Sequence, residues 1–195
     1  MCGRRVAHEN PGKARGNPDQ VRDAIVRLIA ALGLDLRDEP ELAATPARVA
    51  EFYAEVFAGL SQPTPELATF PAPEGERDLV VVRGLPFHSM CVHHFAPFFG
   101  RATIAYLPDR ALVGISGPAR LLEHHARRPQ LQERLGAAIA DELERQVAPR
   151  GVAVVIRARH LCMEMRGIRT RGVVETRTLR GALADPAWRS ALDRA

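Results

Sequence analysis

Four residues constrain this chain more than any other stretch: Cys91-Val92-His93-His94, followed at once by the run Phe95-Ala96-Pro97-Phe98-Phe99-Gly100. Cys91 and His94 stand three apart, a spacing at which one short turn aims a thiolate and an imidazole at the same divalent ion. Sulfur together with nitrogen favours zinc. A third ligand is then needed, and the chain holds three cysteines. Cys2 lies in an amino-terminal stretch with little apolar content, whereas Cys162 closes His160-Leu161-Cys162 at the end of an apolar, strand-like run. Cys162 is therefore the expected partner, and the fold has to bring the ends of two distant strands together. Three protein ligands leave one coordination position open, the mark of a catalytic rather than a structural zinc. On this reading His93 and His160 are left free for proton transfer. A lone Cys-x-x-His is a weak signal, since adjacent histidines commonly sit on a solvated turn. The second His-x-Cys cluster gives it weight.

The rest of the chain suits a catalyst of small anionic molecules. Its 195 residues, 46% apolar, suffice for one domain of ordinary size with an appendage. Three cysteines make no disulfide framework, and no apolar stretch approaches a membrane span or a secretory leader, so a reducing, cytoplasmic setting is expected. The net charge of +4 comes almost wholly from arginine, whose planar fork matches phosphate and carboxylate geometry. Aromatic residues are only 5% of the chain, and no basic patch is interleaved with stacking residues, so neither nucleic acid nor membrane is an expected partner.

Residues 1–17 read as a disordered arm. In 18–60, Val21, Ile25, Leu28, Ile29 and Leu32 recur at helical spacing behind Asn17 or Asp19 as N-cap. A second helix is expected with Thr45 as its cap and Pro46 in its first turn, burying Val49, Phe52, Tyr53, Val56 and Phe57. Several prolines make 61–76 an extended linker. The main domain, 77–184, reads as strands at 78–83, 101–107 and 111–115, the last two joined by a Pro108-Asp109 turn. Helices follow at 118–127 and 131–147, then strands at 151–156 and 168–183, and 185–195 is a tail. This order predicts an α+β fold with an antiparallel sheet covered on one face by helices, whose bare face and free edges favour oligomerisation.

Taken together, Cys-x-His-His with Pro-Phe-Phe-Gly, Tyr-Leu-Pro, Gly-Ile-Ser-x-x-x-Arg, Arg-Pro-Gln-x-Gln-Glu-Arg-Leu, Gly-Val-Ala-Val-Val and His-x-Cys-Met-x-x-Arg-Gly resemble GTP cyclohydrolase I, in order, from about Thr45 to Leu183. The resemblance implies the tunnelling fold: a four-stranded antiparallel sheet with two helices on one face (ββααββ), assembled as a toroidal homodecamer with active sites at subunit boundaries. It implies opening of the guanine imidazole ring of GTP at C8, release of formate and reclosure as 7,8-dihydroneopterin triphosphate. It also implies Zn2+ on Cys91, His94 and Cys162, and acid/base roles for His93 and His160. Gln132 and Glu133 would meet the guanine edge, and Ser116, Arg120, Arg166 and Arg48 the ribose and triphosphate. His124 and His125 match no family site residue and are expected at the surface.

Two phosphate-facing lysines of the family are replaced here, by Glu51 and by Gly117. Glu164 adds an acid between Cys162 and Arg166, and Arg101, Arg128, Arg169, Arg171 or Arg177 are candidate substitutes for the lost cations. Two other readings follow. One is a variant cyclohydrolase that acts on a less phosphorylated guanine nucleotide or halts at a ring-opened formamide. The other is a non-catalytic purine- or pterin-binding or regulatory member.

Overall fold

The computed structural model describes residues 16–73, 75, 78–188 and 191–192. Cys2, most of the expected arm and part of the expected tail lie outside the described residues. The chain divides into two compact units, the first ending at Gln62 and the second beginning at Pro63.

In the first unit α1 (Pro18–Ala31) packs on α2 (Thr45–Val56). Asn17 caps α1, its side-chain oxygen accepting from the amides of Asp19 and Gln20, which have no intrahelical acceptor. Thr45 is the first residue of α2 rather than its cap; Ala44 precedes it and makes no side-chain bond. Of the face expected to be buried, Phe52 stays exposed, while Ile29, Pro46 and Ala50 are the buried residues of the two helices.

The second unit is mixed α and β, as expected, with an antiparallel sheet and helices. Its strands are β1 (Thr69–Pro71), β2 (Val80–Cys91), β3 (Pro97–Leu107), β4 (Ala111–Val113), β5 (Pro129–Gln130), β6 (Gly151–His160) and β7 (Val174–Gly181). Between them lie α3 (Gly117–Ala126), α4 (Gln132–Val147) and the single turn α5 (Leu161–Glu164). The main sheet has five strands rather than four, in the order β5-β2-β3-β6-β7, because two residues of β5 join β2 in parallel. β4 does not form the expected hairpin with β3. Both sides of β3 are occupied, by β2 and β6, so β4 pairs instead with β1 inside the stretch expected to be a plain linker.

β2 runs on to Cys91, well past the end expected at residue 83. Its register shifts between Val82 and Leu85, and Gly84 absorbs the bulge with φ of 67°. Pro86 is tolerated because β5 reaches only Met90 and Cys91, leaving β2 an edge at that point.

Period-two alternation sorts the two faces. Phe98, Ala102, Ile104 and Tyr106 of β3, with Val152, Val154, Ile156 and Ala158 of β6, face Leu121 and Leu122 of α3 and Leu135, Ile139 and Leu143 of α4. Each fully buried large side chain of this layer contributes about 1.5–3 kcal/mol. Ala105, Leu107 and Ala153 point the other way, against Leu183 and Leu192. Gly136 lets α4 approach the sheet closely, since a Cβ there would lie 2.8 Å from Thr178 Oγ1.

Candidate metal centre and active site

β3 runs antiparallel to both its neighbours, so the carboxyl ends of β2 and β6 reach the same end of the sheet. Cys91 is the last residue of β2. His160 is the last of β6, opposite Phe98 near the start of β3, and Cys162 follows on α5. The connection from β2 to β3 is tight: the Cys91 amide donates to Ala96 O at 2.9 Å, the Phe95 amide to Cys91 O at 2.9 Å, and Phe95 takes a left-handed φ of 48°. The Val92 amide donates to Gln130 O at 3.0 Å, tying the turn to β5. Folding the turn this way sets Cys91 Sγ 4.0 Å from His94 Nδ1 and also 4.0 Å from His93 Nδ1.

The structure brings the three expected ligands together. One donor atom each from Cys91, His94 and Cys162 lies within 4.8 Å of the others. Cys91 is buried, Cys162 half-buried and His94 exposed, so the cluster opens to solvent on its histidine side. Burial, with the Cys91 thiol beside it, pushes the Cys162 thiol up. A divalent ion held against the sulfur would offset that push and stabilise the Cys162 thiolate. The donor set fits zinc on that ground.

His160 sits beside the cluster. Its ring stacks on Phe98 with centroids 4.7 Å apart and planes 2° from parallel. Burial lowers its pKa, against the opposing charge of Glu133, so the neutral ring dominates at pH 7. Gln132 and Glu133 share the first turn of α4 but part company. Glu133 is exposed, as a substrate contact requires. Gln132 is 3% exposed and does not present an edge to a ligand: its Nε2 donates to Ile156 O, Val174 O and Thr176 Oγ1, and its Oε1 lies 2.8 Å from His160 Nε2. The side chain expected to meet guanine is thus engaged within the chain, at His160 and the sheet. Position 132 falls on the sheet-facing stripe of α4 with Leu135, Gly136 and Ile139.

The other expected residues are dispersed. Arg166 is exposed, with Nη1 3.0 Å from His94 Nε2, which places its guanidinium at the candidate metal centre. Ser116 and Arg120 are exposed at the start of α3, and Arg48 is exposed on α2 of the first unit. His93 is exposed on the turn. Glu164 does not act against the site, because Arg159 Nε donates to its Oε1 at 2.8 Å.

Gly117 is more than a missing lysine. A Cβ there would meet Val113 Cγ1 at 2.6 Å and Leu67 Cδ2 at 3.0 Å, so those side chains fill the space. Several candidate substitutes are engaged elsewhere: Arg101 donates to Gly84 O, Arg177 pairs with Glu175, and Arg128 is half-buried beside His124. Arg101, with Arg157, Arg159, Phe99 and Val173, lines a cavity of about 380 Å³ that none of the expected metal, catalytic or substrate residues matching the family borders.

Sequence reasoning missed Phe98 and Gln130. The alternation of β3 signals an inward Phe98, but its stacking on His160 depends on a register that no local pattern shows. His124 and His125 are corrected: each is 7% exposed, in the core rather than at the surface.

Residues 21–194 match the sequence profile of the family described as GTP cyclohydrolase I. The chain is 46% identical over 157 residues to a protein of Streptococcus agalactiae serotype Ia, covering 80% of this chain and 83% of that one. It is 43% identical over 173 residues to one of Bacillus subtilis, with 88% and 90% covered. It is 42% identical over 186 residues to one of Thermobifida fusca, with 93% and 89% covered. Each of the three is named GTP cyclohydrolase 1.

Proposed function

The chain belongs to the GTP cyclohydrolase I family, and on that premise we propose that it is a zinc-dependent hydrolase that opens the imidazole ring of GTP at C8, releases formate and yields 7,8-dihydroneopterin triphosphate. The observation that carries the reading is the meeting of Cys91, His94 and Cys162 within 4.8 Å at the sheet end where His160 and Glu133 also converge. Cys91, His94 and Cys162 would hold the ion, which when bound supplies a Lewis acid able to make water a nucleophile near neutral pH.

The chain's own residues do the rest. The Glu133 carboxylate accepts two hydrogen bonds from the N1 and 2-amino donors of guanine, charge-assisted contacts that fix the base. Ring opening needs one proton taken from the attacking water and one delivered to a ring nitrogen as the bond to C8 breaks. His160, held in plane by Phe98 and neutral at pH 7, suits the first transfer; His93, exposed on the same turn as His94, suits exchange with solvent. Arg166, Arg120 and Ser116 are the groups of the second unit that we assign to the ribose and triphosphate.

We also assign the ββααββ core of the tunnelling fold to β2, β3, α3, α4, β6 and β7, assembled as a homodecamer with sites at subunit boundaries. Exposed Phe95, Ile115, Met165, Ile168 and Val173 lie on the segments that carry the site and are the side chains a partner subunit would cover.

Incubation of the zinc-loaded protein with GTP tests the reaction. Formate and a pterin that fluoresces after oxidation are expected in equal amounts; formate without pterin would defeat it. A second reading is favoured by Gly117, where Val113 and Leu67 would have to give way to a side chain, and by Glu51: a substrate with fewer phosphates. Each lost contact of this type weakens binding by about 1.5–3 kcal/mol. Turnover of GTP, GMP and guanosine separates the two, and a wide preference for GTP removes the second.

A further inference from the structure

We infer that Gln132 is a positioning residue that fixes the tautomer of His160, keeping its proton on Nε2 and leaving Nδ1 as the nitrogen through which the ring exchanges protons. The chemical logic starts from the far side of the amide. Ile156 O and Val174 O are backbone carbonyls, which only accept, and each lies 3.0 Å from one end of the Gln132 side chain. That end must therefore be the NH2 group, and Thr176 Oγ1 at 3.2 Å gives it a third acceptor. The amide cannot flip without setting its oxygen against two carbonyl oxygens in a place only 3% exposed, where no bulk water can compensate.

The opposite end is then oxygen by necessity, and it stands 2.8 Å from His160 Nε2. A carbonyl oxygen accepts, so Nε2 carries the hydrogen. In a neutral imidazole the other nitrogen is then the bare one. Phe98 completes the constraint. A ring stacked at 4.7 Å and 2° cannot tilt out of plane, and the Gln132 bond sets which edge faces inward. Histidine tautomers are usually free to follow their surroundings; here two backbone carbonyls relay a fixed choice through one buried amide.

The consequence for proton traffic balances simply. Nδ1 accepts a proton with its lone pair, the ring becomes imidazolium, the Nε2–H bond to Gln132 is unbroken, and the proton leaves again from Nδ1. If the ring held its hydrogen on Nδ1 instead, the acceptor lone pair would face a carbonyl oxygen and the outer edge could not act as a base. Gln132 thus works through His160 and touches no substrate. The inference rests on the proposed function only for the reaction that His160 serves; the tautomer itself does not depend on it.

Magic-angle-spinning 15N spectra of the zinc-loaded full-length protein, labelled at histidine, read the tautomer directly. His160 is assigned by its disappearance in His160→Asn. At neutral pH the wild type is expected to show a protonated-type Nε2 and an unprotonated-type Nδ1. Gln132→Leu should show both tautomers, with kcat for GTP lower by roughly 100-fold and KM nearly unchanged. Gln132→Glu keeps an oxygen against Nε2 only with its other oxygen protonated to donate to one of the two carbonyls. It should then retain the protonated Nε2 at a cost in stability, with kcat between the two; zinc content and circular dichroism report whether either variant folds. A wild-type ring protonated on Nδ1, or a single unchanged tautomer in Gln132→Leu, would overturn the inference. So would a raised KM at undiminished kcat, which would return Gln132 to the guanine edge. A wild type with the expected spectrum but no formate from GTP would sink the proposed reaction and leave the tautomer standing.

Discussion

The protein carries two pairs of adjacent histidines that look alike in sequence and in local geometry. The His93 and His94 rings lie 6.2 Å apart at 82°, and those of His124 and His125 5.0 Å apart at 81°. The first pair is exposed on the β2–β3 turn beside the Cys91 thiol; the second is buried in α3. His124 receives a 2.6 Å hydrogen bond from Arg128 Nη2 and lies 3.4 Å from Thr64 Oγ1. Burial, aided for both by the Arg128 charge, lowers His124 and His125 to about 4, with Glu142 opposing. Both sit in the last turn of α3, where the helix dipole favours imidazolium by about 0.3–1 kcal/mol. The fall from 6.5 to about 4 is worth about 3 kcal/mol the other way, so burial wins. The difference teaches that a histidine is free to serve as a ligand or is packed as a core residue according to the element that carries it: a turn at a sheet end leaves lone pairs open to an ion, and a helix flank packs the same ring away.

The sharpest break of this comparison is to remove one proposed ligand from the cluster that holds the first pair. Cys162→Ser or His94→Asn should lose bound zinc and all measurable turnover, checked by metal analysis and formate release. His125→Leu, made in parallel, should keep both. If the two kinds of variant behaved alike, the contrast between the pairs would vanish.

A smaller effect is expected next to the cluster. His160→Asn should retain zinc and lose about 10²- to 10⁴-fold in kcat, the range for a positioned proton-transfer group. Loss of zinc in this variant would make His160 a ligand and redraw the site.

Much of this division was legible before any coordinates. Cys91, His94 and Cys162 could be named because three soft ligands among few cysteines leave little choice, and the α4 helix followed from its unbroken 3.6-residue period. The burial of His124 and His125 was legible too, since with Leu121 they fall at i, i+3 and i+4 on α3, but polar residues are read by default as surface. Other features were not. The pairing of β4 with β1 depends on both sides of β3 being taken, which is a property of the whole sheet. Likewise, the inward turn of Gln132 depends on carbonyls of β6 and of the residue opening β7, and the crowding at 117 on Leu67, far away in sequence.

The smallest effect sharpens the buried half of the comparison through pH. A histidine lowered to about 4 in the native state but ordinary when unfolded binds its proton first in the unfolded chain, so stability is fully present above about 6.5 and is lost as pH falls toward 4. Two such rings give a slope between about 1.4 and 2.7 kcal/mol per pH unit, the lower figure applying where the first proton hinders the second. The carboxylates lowered by ion pairing, Glu142, Glu164 and Glu175, lose their contribution only below their ordinary value of 4.5, so pH 6.5 to 4.5 isolates the histidines. His160 acts in the same sense within that window, which makes the difference between variants more informative than any single curve. Acid also strips zinc from thiolates, and that term is absent if the comparison is made on a Cys162→Ser background. Urea unfolding of that protein from pH 7 to 4.5 should show the slope, and adding His125→Leu should reduce it by about 1.4 kcal/mol per pH unit. An unchanged slope would mean that His125 titrates like an exposed ring, and the two pairs would differ in address alone.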